Sequence, residues 1–316
     1  MSVPYFIARY QPADFTGVLD VINAAAQGDP LRMMSEESLC QQFEEPGTEI
    51  AQRGLVARTE DGQIVGFGRF RTRDKRSDPL PIQEGSLALH PAHVAALGSA
   101  LIPRLWQTAE EISRQQGEDG FIFQLRIDDN DTDMLRLIES LDLHYNRLLV
   151  TLELDSLPLV APPSPVAGIA IRASRRGVDE QAWYAAYADA FADHWGQMVW
   201  PAALWEYTVA QPTYAPELNL IAWDTQTDEI AGFCYTTAHG TQGAFRWVGV
   251  RPRWRRRGLG DALTKAGLRA LYGAGVRSVA MGADYESDTG PARIYENNGF
   301  RVIRRHLVFC REFRLR

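Results

Sequence analysis

Apolar residues recur along this chain in two rhythms, one at every second position and one at every third or fourth. These are the signatures of half-buried strands and amphipathic helices. In the second half, alternating runs at roughly 168–173, 218–224, 230–238, 244–250, 276–283 and 301–313 predict strands, and stretches at 178–194, 258–272 and 289–298 predict helices. The clearest helix sets Leu259, Ala262, Leu263, Ala266, Ala270 and Leu271 on one face and stops at Gly273 and Gly275, residues that end helices readily. The first half repeats the order. IARYQPADFTGVLDV at 7–21 parallels IRASRRGVDEQAWYA at 171–185, DGQIVGFGRF at 61–70 parallels TDEIAGFCYT at 227–236, and LALHPAHVAALGSALI at 87–102 parallels VGVRPRWRRRGLGDALT at 248–264. The offset stays near 160 residues, so one ancestral domain has been duplicated. Within each copy hairpins come first and a strand-helix-strand unit later. That predicts an α/β fold of the α+β type, a mixed, mostly antiparallel sheet flanked by helices, unlike a doubly wound nucleotide fold.

The proline-rich stretch DSLPLVAPPSPVAG at 155–168 is the linker candidate, and it divides the chain into domains at 1–157 and 168–316 joined by 158–167. A length of 316 residues, 45% hydrophobic and 23% charged, suffices for two cores of ordinary size. Charge is split unevenly. Residues 1–165 carry 14 Lys and Arg against 25 Asp and Glu, a balance of −11, whereas residues 166–316 carry 19 against 15, or +4. No apolar run approaches the roughly 18 residues that span a bilayer, and MSVPYFIARY lacks the basic start and apolar core of a secretory signal. A cytoplasmic protein without a membrane partner is expected. Cys40, Cys234 and Cys310 are odd in number and far apart, which points to buried thiols and to neither a disulfide framework nor a metal site.

The chemistry concentrates in VRPRWRRRGLGDALTKAGL at 250–268, where arginines and a tryptophan precede Gly-x-Gly and a helix begins at or near Gly258. The first amides of a helix have no acceptor within it, glycines let a ligand approach the backbone, and the dipole is positive at that end, so an anion fits. Arg255, Arg256 and Arg257 are candidate side-chain contacts, each charge-assisted bond being worth on the order of 1.5–3 kcal/mol where water is partly excluded; their other reading is solvated surface. GLGDALTK has neither the spacing of a triphosphate-binding loop nor a hydroxyl after Lys265, and position 263 is Leu where a dinucleotide fingerprint has its third glycine. A nucleic-acid partner is not expected, because the arginines lack interleaved aromatics beyond Trp254 and sit in a chain of net charge −7.

What remains, Arg-x-x-Gly-x-Gly from Arg255 to Gly260 between a strand and a helix, resembles the acetyl-CoA-binding motif of the Gcn5-related N-acetyltransferases. PARIYENNGFRVIRR at 291–305 is similar to that family's fourth-helix signature, with Tyr295, Gly299 and Phe300 in its places, and DEIAGFCYT followed by FRWVGVRP is similar to its paired central strands. The resemblance spans 168–313. It implies a sheet splayed after the strand ending near Val250, with backbone groups of Val248 and Val250, flanking Gly249, bonded to the pantetheine arm of acetyl-CoA like an added strand. It also implies that amides of Arg257, Gly258, Leu259, Gly260 and Asp261 hold the pyrophosphate, and that a neutral amine attacks the thioester directly while a backbone amide meets the oxyanion. Tyr295 is the implied general acid, since a phenol with an unperturbed pKa of about 10 can protonate a departing thiolate; its other reading is a core aromatic beside Ile294 and Phe300. Ser287 and Asp288 stand where relatives often have an Asn that contacts the cofactor arm. FRWVGV lacks the carboxylate that many relatives use as base. YADAFADHWGQ at 187–197 puts Asp193, His194 and Trp195 at a helix end whose apolar face is Trp183, Tyr187, Ala190 and Phe191; Asp193 and His194 are candidates for base or amine-binding residue, against a capping and packing role. Asp284 and Glu286 read more simply as solvated loop carboxylates.

The first half keeps the architecture and loses the chemistry. Aligned on GSAL and GDAL, Arg255 corresponds to His93, Gly258 to Ala96 and Gly260 to Gly98, and Ile138 falls opposite Tyr295. This layout resembles tandem members of the family, a degenerate amino-terminal copy beside an active carboxy-terminal one. The expected function is acetyl transfer from acetyl-CoA to a primary amine of a small molecule or peptide, with a cationic acceptor suited to the acidic first domain. The alternative is a non-catalytic acyl-CoA-binding or regulatory protein, for which the missing strand carboxylate argues.

Overall fold

The computed structural model describes residues 5–29, 32–73, 80–194, 201–211, 214–287 and 290–315. Along the chain come β1 (Phe6–Arg9), α1 (Phe15–Ala26), α2 (Glu36–Glu44), α3 (Ile50–Arg53), β2 (Gly54–Arg58), β3 (Ile64–Arg73), β4 (Ile82–Leu89), α4 (Val94–Gln115), β5 (Gly120–Asp128), α5 (Thr132–Ser140) and β6 (His144–Leu154). They are followed by β7 (Ile169–Ala173), α6 (Glu180–Ala190), α7 (Ala202–Ala210), β8 (Leu220–Asp224), β9 (Glu229–His239), β10 (Gln242–Val250), α8 (Leu259–Gly273), β11 (Ser278–Asp284), α9 (Pro291–Asn297) and β12 (Arg301–Arg314). The helix expected over 178–194 ends at Ala190, and turns follow to residue 194.

Packing divides the chain into two compact units, Met1–Arg147 with Leu307–Arg316, and Leu148–His306. These are not the linear halves 1–157 and 168–316, because β6 passes into the second unit after Arg147 and β12 returns to the first after His306. In the second unit the end of β6 lies antiparallel to β11, pairing Leu149 with Asp284 and Leu154 with Val279. In the first, Leu315 donates to the Asp119 carbonyl at 2.8 Å and Phe313 stacks on Phe121 at 4.7 Å. The proline-rich stretch is a packed strap of the second unit. Its Leu157 amide donates to the Arg277 carbonyl at 2.6 Å, and Arg269 donates to the Val160 carbonyl at 2.6 Å.

Each unit has a mixed, mostly antiparallel sheet flanked by helices. The order is β1-β2-β3-β4-β5 in the first and β7-β8-β9-β10-β11-β6 in the second, with β4–β5 and β10–β11 the parallel neighbours. The duplication is visible in side-chain detail. A buried aspartate precedes the first long helix of each unit: Asp14 accepts the Gln11 amide at 2.9 Å and pairs with Arg58, and Asp179 accepts the Arg175 amide at 2.7 Å and both arms of Arg172 at 2.7 and 3.0 Å. The Arg172 and Arg175 bonds outweigh the cost of burial and hold the Asp179 carboxyl well below its ordinary range.

The second unit is a three-layer arrangement. On one face of the sheet α8 buries Leu259, Leu263, Leu268 and Leu271 against Cys234, Phe245 and Met281. On the other, α6 and α7 lay Trp183, Tyr187 and Trp205 over Phe233 and Tyr235. Helix α8 comes so close to the sheet that a Cβ on Gly267 would meet the Cys234 sulfur at 2.7 Å and the Phe245 ring at 2.8 Å. Alanine inside a helix normally gains up to ~1 kcal/mol over glycine, but overpacking costs about 1–3 kcal/mol. Gly267→Ala should therefore lower the urea midpoint with an unchanged slope, contrary to its helix propensity.

Candidate active site

The site begins where a pair of strands parts. Strand β10 runs parallel to β11 from Gln242 opposite Ser278 to Phe245 opposite Met281, and the ladder then stops although both strands continue. At the same point β10 shifts register against β9, between Phe245 and Trp247, and a bulge of this kind turns a strand away from its neighbour. Beyond it the Arg251 amide donates to Ala231 at 3.0 Å, so Arg251 and Gly249 point their backbone groups at β9. By alternation those of Val248 and Val250 point into the gap. The Val250 carbonyl is already claimed there by Arg255 Nε at 3.0 Å. The splay begins after Phe245, five residues before the position near Val250 expected for it.

Past the gap the backbone forms a cradle. The Arg255 amide reaches the Pro252 carbonyl at 3.2 Å and the Ala262 amide reaches Gly258 at 3.0 Å. Between them none of the amides of residues 256–261 has an acceptor among the described residues. Arg256 (φ 59°) and Gly258 (φ 78°) both adopt the left-handed conformation, which turns successive N–H groups to one side and makes an anion-binding concavity at the start of α8. Asp261 also stands in this first turn. Burial opposes its ionisation, but bonds from Lys265 at 2.8 Å and Asn298 at 2.9 Å prevail and hold its carboxyl low, so its charge is locally compensated.

The arginines around the loop mostly hold it in place. Trp254 is buried, donates from its indole to Asp224 at 2.7 Å, and carries Arg251 and Arg253 against its ring at 5.0 and 4.4 Å. Arg251 also pairs with Asp189 at 2.5 Å, and Arg253 with Glu229 at 3.2 Å. Arg255 is the most heavily tied: besides Val250 it bonds the Ala190 carbonyl at 2.9 Å and both oxygens of Asp193, one of them at 2.8 Å. Arg257 donates to the Ala167 carbonyl at 3.0 Å. Arg256 alone has no side-chain partner among the described residues. Sequence reasoning missed Asp224, Asp189 and Glu229 as acceptors; the only signal was a run of cations with no carboxylate of its own.

Helix α9 brings Tyr295 to this loop. Ile294 approaches Gly260, within 3.2 Å of where a Cβ would stand, and Asn298 bonds Asp261, so the residues flanking Tyr295 touch the first turn of α8. The Tyr295 ring is 5% exposed and meets Phe300 edge-on at 6.1 Å. Its hydroxyl has no hydrogen-bond partner among the described residues and is not one of their sealed, unpaired polar atoms. Burial, and then the neighbouring Cys234, pushes the phenol up from its ordinary value.

A family model described as an acetyltransferase (GNAT) domain matches residues 216–302, which contain the splay, the cradle and Tyr295. Over nearly the whole length the chain is 29% identical to a mycothiol acetyltransferase of Geodermatophilus obscurus, covering 93% of each chain. It is 30% identical to that of Thermobispora bispora, over 92% of this chain and 94% of the relative. The crystal structure of a GCN5-related N-acetyltransferase from Sphaerobacter thermophilus superposes with a TM-score of 0.78 at 26% identity, covering 98% of this chain and 96% of that one. The chain belongs to the Gcn5-related N-acetyltransferase (GNAT) superfamily. It is an acetyltransferase, and acetyl-CoA is its cofactor. Among the described residues no helix is long and apolar enough to cross a membrane, and no cluster of ligating side chains could hold a metal ion.

As a GNAT cradle the loop fits its cofactor: six consecutive amides await an acceptor, and Gly258 leaves its backbone bare, while the missing side chain of Gly260 makes room for Ile294. The other expected site residues are placed as follows. Asp193 and His194 lie in the turns after α6, where the His194 ring meets Phe191 at 5.5 Å. Trp195 and Asp288 lie outside the described residues. Ser287 is half-buried, and its carbonyl accepts the Gly290 amide at 2.9 Å. Asp284 is 5% exposed rather than solvated, and Glu286 accepts the Leu148 amide at 2.9 Å.

In the first unit the corresponding loop is gone. Only residues 90–93 separate β4 from α4, against residues 251–258 between β10 and α8. Residues 94–97 are wound into α4, and none of residues 90–98 is left-handed. Ala96 is thus a helical residue, and the loss of the cradle is a change of backbone path, larger than the added methyl group that the alignment suggests. Gly98 faces inward, where a Cβ would stand 2.2 Å from Leu137.

The Asp193 carboxyl is held below its ordinary range chiefly by the Arg255 hydrogen bond, which suits an anchor better than a base working near neutrality. Asp193→Asn should accordingly leave the acidic limb of the pH–rate profile where it is. Arg255→Ala and Asp193→Ala should each raise the KM for acetyl-CoA severalfold. Steady-state kinetics of the double variant should give a coupling of at least about 0.5 kcal/mol between them, a modest value because the pair is partly exposed.

Proposed function

We propose that the chain transfers the acetyl group of acetyl-CoA to a primary amine of a small molecule or peptide, by direct attack on the thioester, in the unit spanning Leu148–His306. The single observation that carries this reading is the docking of α9 on the first turn of α8, which sets a buried, protonated phenol beside the anion cradle. When bound, acetyl-CoA supplies the activated acyl group. Residues 256–261 would hold its pyrophosphate through their amides, with Arg256 adding the free side-chain cation. The Val248 and Val250 backbone would align the pantetheine arm in the gap left by β11. Tyr295, protonated throughout the neutral range, would give its proton to the departing sulfur. The amine arrives uncharged at the acyl carbon, and its surplus proton leaves through solvent, because β10 carries no carboxylate in this stretch. The first unit, without a cradle and with Ile138 opposite Tyr295 in the repeat, is proposed to be non-catalytic.

The relatives' name, mycothiol acetyltransferase, and the −11 balance of the amino-terminal half together favour a small, cationic amine. A thiol-release screen over neutral, cationic and anionic amines, with the deacetylated form of mycothiol included, tests the reading. Cationic acceptors should have the highest kcat/KM and should lose it as ionic strength rises, and an anionic acceptor preferred without any salt effect overturns the charge argument. Tyr295→Phe should lower turnover about 10²-fold. In the parent, turnover should not fall on the alkaline side below about pH 10, since the raised phenol loses its proton only above its ordinary value. A change below about threefold in Tyr295→Phe removes the residue from the acid role.

A further inference from the structure

The first unit carries an arginine cluster on the sheet face equivalent to the one that α6 and α7 cover in the second. Gly66 pairs with Leu89 at the end of its hairpin as Gly232 pairs with Val250. Counting from those glycines sets Arg69 where the second unit has Tyr235, and Arg71 and Arg73 where it has Thr237 and His239. The three arginines alternate along β3 and so share a face. Across β4, Arg71 stands opposite Glu84, and across β5 Glu84 stands opposite Gln124, with Arg126 two residues further on that face. The opposite face, with Phe70, Phe121, Phe123 and Leu125, is packed core.

Three cations therefore surround one carboxylate, with Arg69 further along the same face. Glu84 takes Arg71 Nε at 2.9 Å, pairs closely with Arg73, and has Arg126 at 4.0 Å, while Arg69 turns aside to Gln42 at 2.9 Å. The Arg71 and Arg126 side chains are 44% and 47% exposed, those of Arg73 and Glu84 only 16% and 15%. Burial, only partly offset by Glu84, brings the Arg73 guanidinium down to about 10, so the cluster bears excess positive charge in a poorly hydrated place. Gln124 is an independent sign of a missing ligand. It is 7% exposed, has no hydrogen-bond partner among the described residues, and yet is not sealed from solvent. A buried amide without a partner is costly unless something outside the fold completes it.

We infer that this face of the first unit binds a small phosphate-bearing anion, with Arg71, Arg73 and Arg126 as the cationic forks, Glu84 fixing their orientation and Gln124 as the neutral donor. Guanidinium forks match phosphate oxygens in pairs. Three forks less Glu84 leave a net charge of about two in a half that is otherwise acidic, which favours a dianion over a single carboxylate. The site is independent of the acetyl-transfer reading and lies in the unit that has no cradle.

Calorimetric titration of inorganic phosphate, and separately of glycerol phosphate, into the full chain saturated with coenzyme A tests it, the coenzyme filling the cradle of the second unit. The parent should show one binding event. Arg71→Ala/Arg126→Ala should weaken it at least tenfold, and Gln124→Leu, which leaves the charge unchanged, at least threefold. The more tightly bound probe tells a free ion from an ester as the natural ligand. Both replaced arginines are exposed; if the alanine pair nevertheless melts early, Arg71→Lys/Arg126→Lys keeps charge and stem and should still bind at least threefold more weakly, because the forks are gone. Isotherms of the parent and the double variant that superimpose for both probes, or acetate bound as tightly as phosphate, overturn the inference.

Discussion

A backbone amide taken from water needs an acceptor, and almost every buried one in a folded chain finds it. The second unit leaves amides without an internal acceptor, open to a partner from outside, along one continuous path. Strand β10 gives up β11 after Phe245, the chain turns through Arg256 and Gly258 in left-handed conformations, and six amides in a row reach the start of α8 unpaired. A cofactor that has both an extended amide-bearing arm and a pyrophosphate would satisfy the two stretches at once. The rest of the unit keeps that path open: the bulge that splits the strands, the close seat of α8 on the sheet at Gly267, and the salt bridges that fix the loop from outside.

Seen this way the arginines of the loop have two duties. Arg251, Arg253, Arg255 and Arg257 spend their donors on protein acceptors, around the buried Trp254 and out to Asp193 and Ala167. They make the loop rigid, so that its amides are oriented before any ligand arrives, and preorganised donors bind without a cost of reordering. Arg256 is bent into the left-handed region, a strain of order 1 kcal/mol or more for a non-glycine residue, and keeps its side chain free. Strain and freedom fall on the same residue because it is the one at the mouth of the cradle.

The comparison of the two units shows how little needs to change to remove such a site. Both have the hairpin, the parallel neighbour and the splay, since β4 and β5 pair only from Ile82 opposite Ile122 to Gly85 opposite Leu125. What the first unit lacks is the eight-residue excursion before the helix. With residues 94–97 wound into α4 their amides are satisfied internally, and the pressure to bind an anion disappears from that place. Charge has moved to the opposite face of the sheet, onto β3 and β5.

Most of this was legible in the sequence where the signal is local and periodic. The elements of the second half follow the apolar rhythm within a few residues, and Gly258, Gly260 and Tyr295 stand where the Arg-x-x-Gly-x-Gly and Tyr-x-x-x-Gly-Phe patterns put them. The exchange of β6 and β12 between units was not, because alternation marks a strand without naming its neighbour. Nor was the Arg255–Asp193 tie, which joins residues 62 apart in sequence; the same Asp193 read alone suggests a base. The first-unit cluster was hidden for a related reason. Arg69, Arg71 and Arg73 belong to a short basic run within a half whose balance is −11, and only the pleat, which puts alternate residues on one face, and the register, which brings Glu84, Gln124 and Arg126 beside them, turn separate charges into one field.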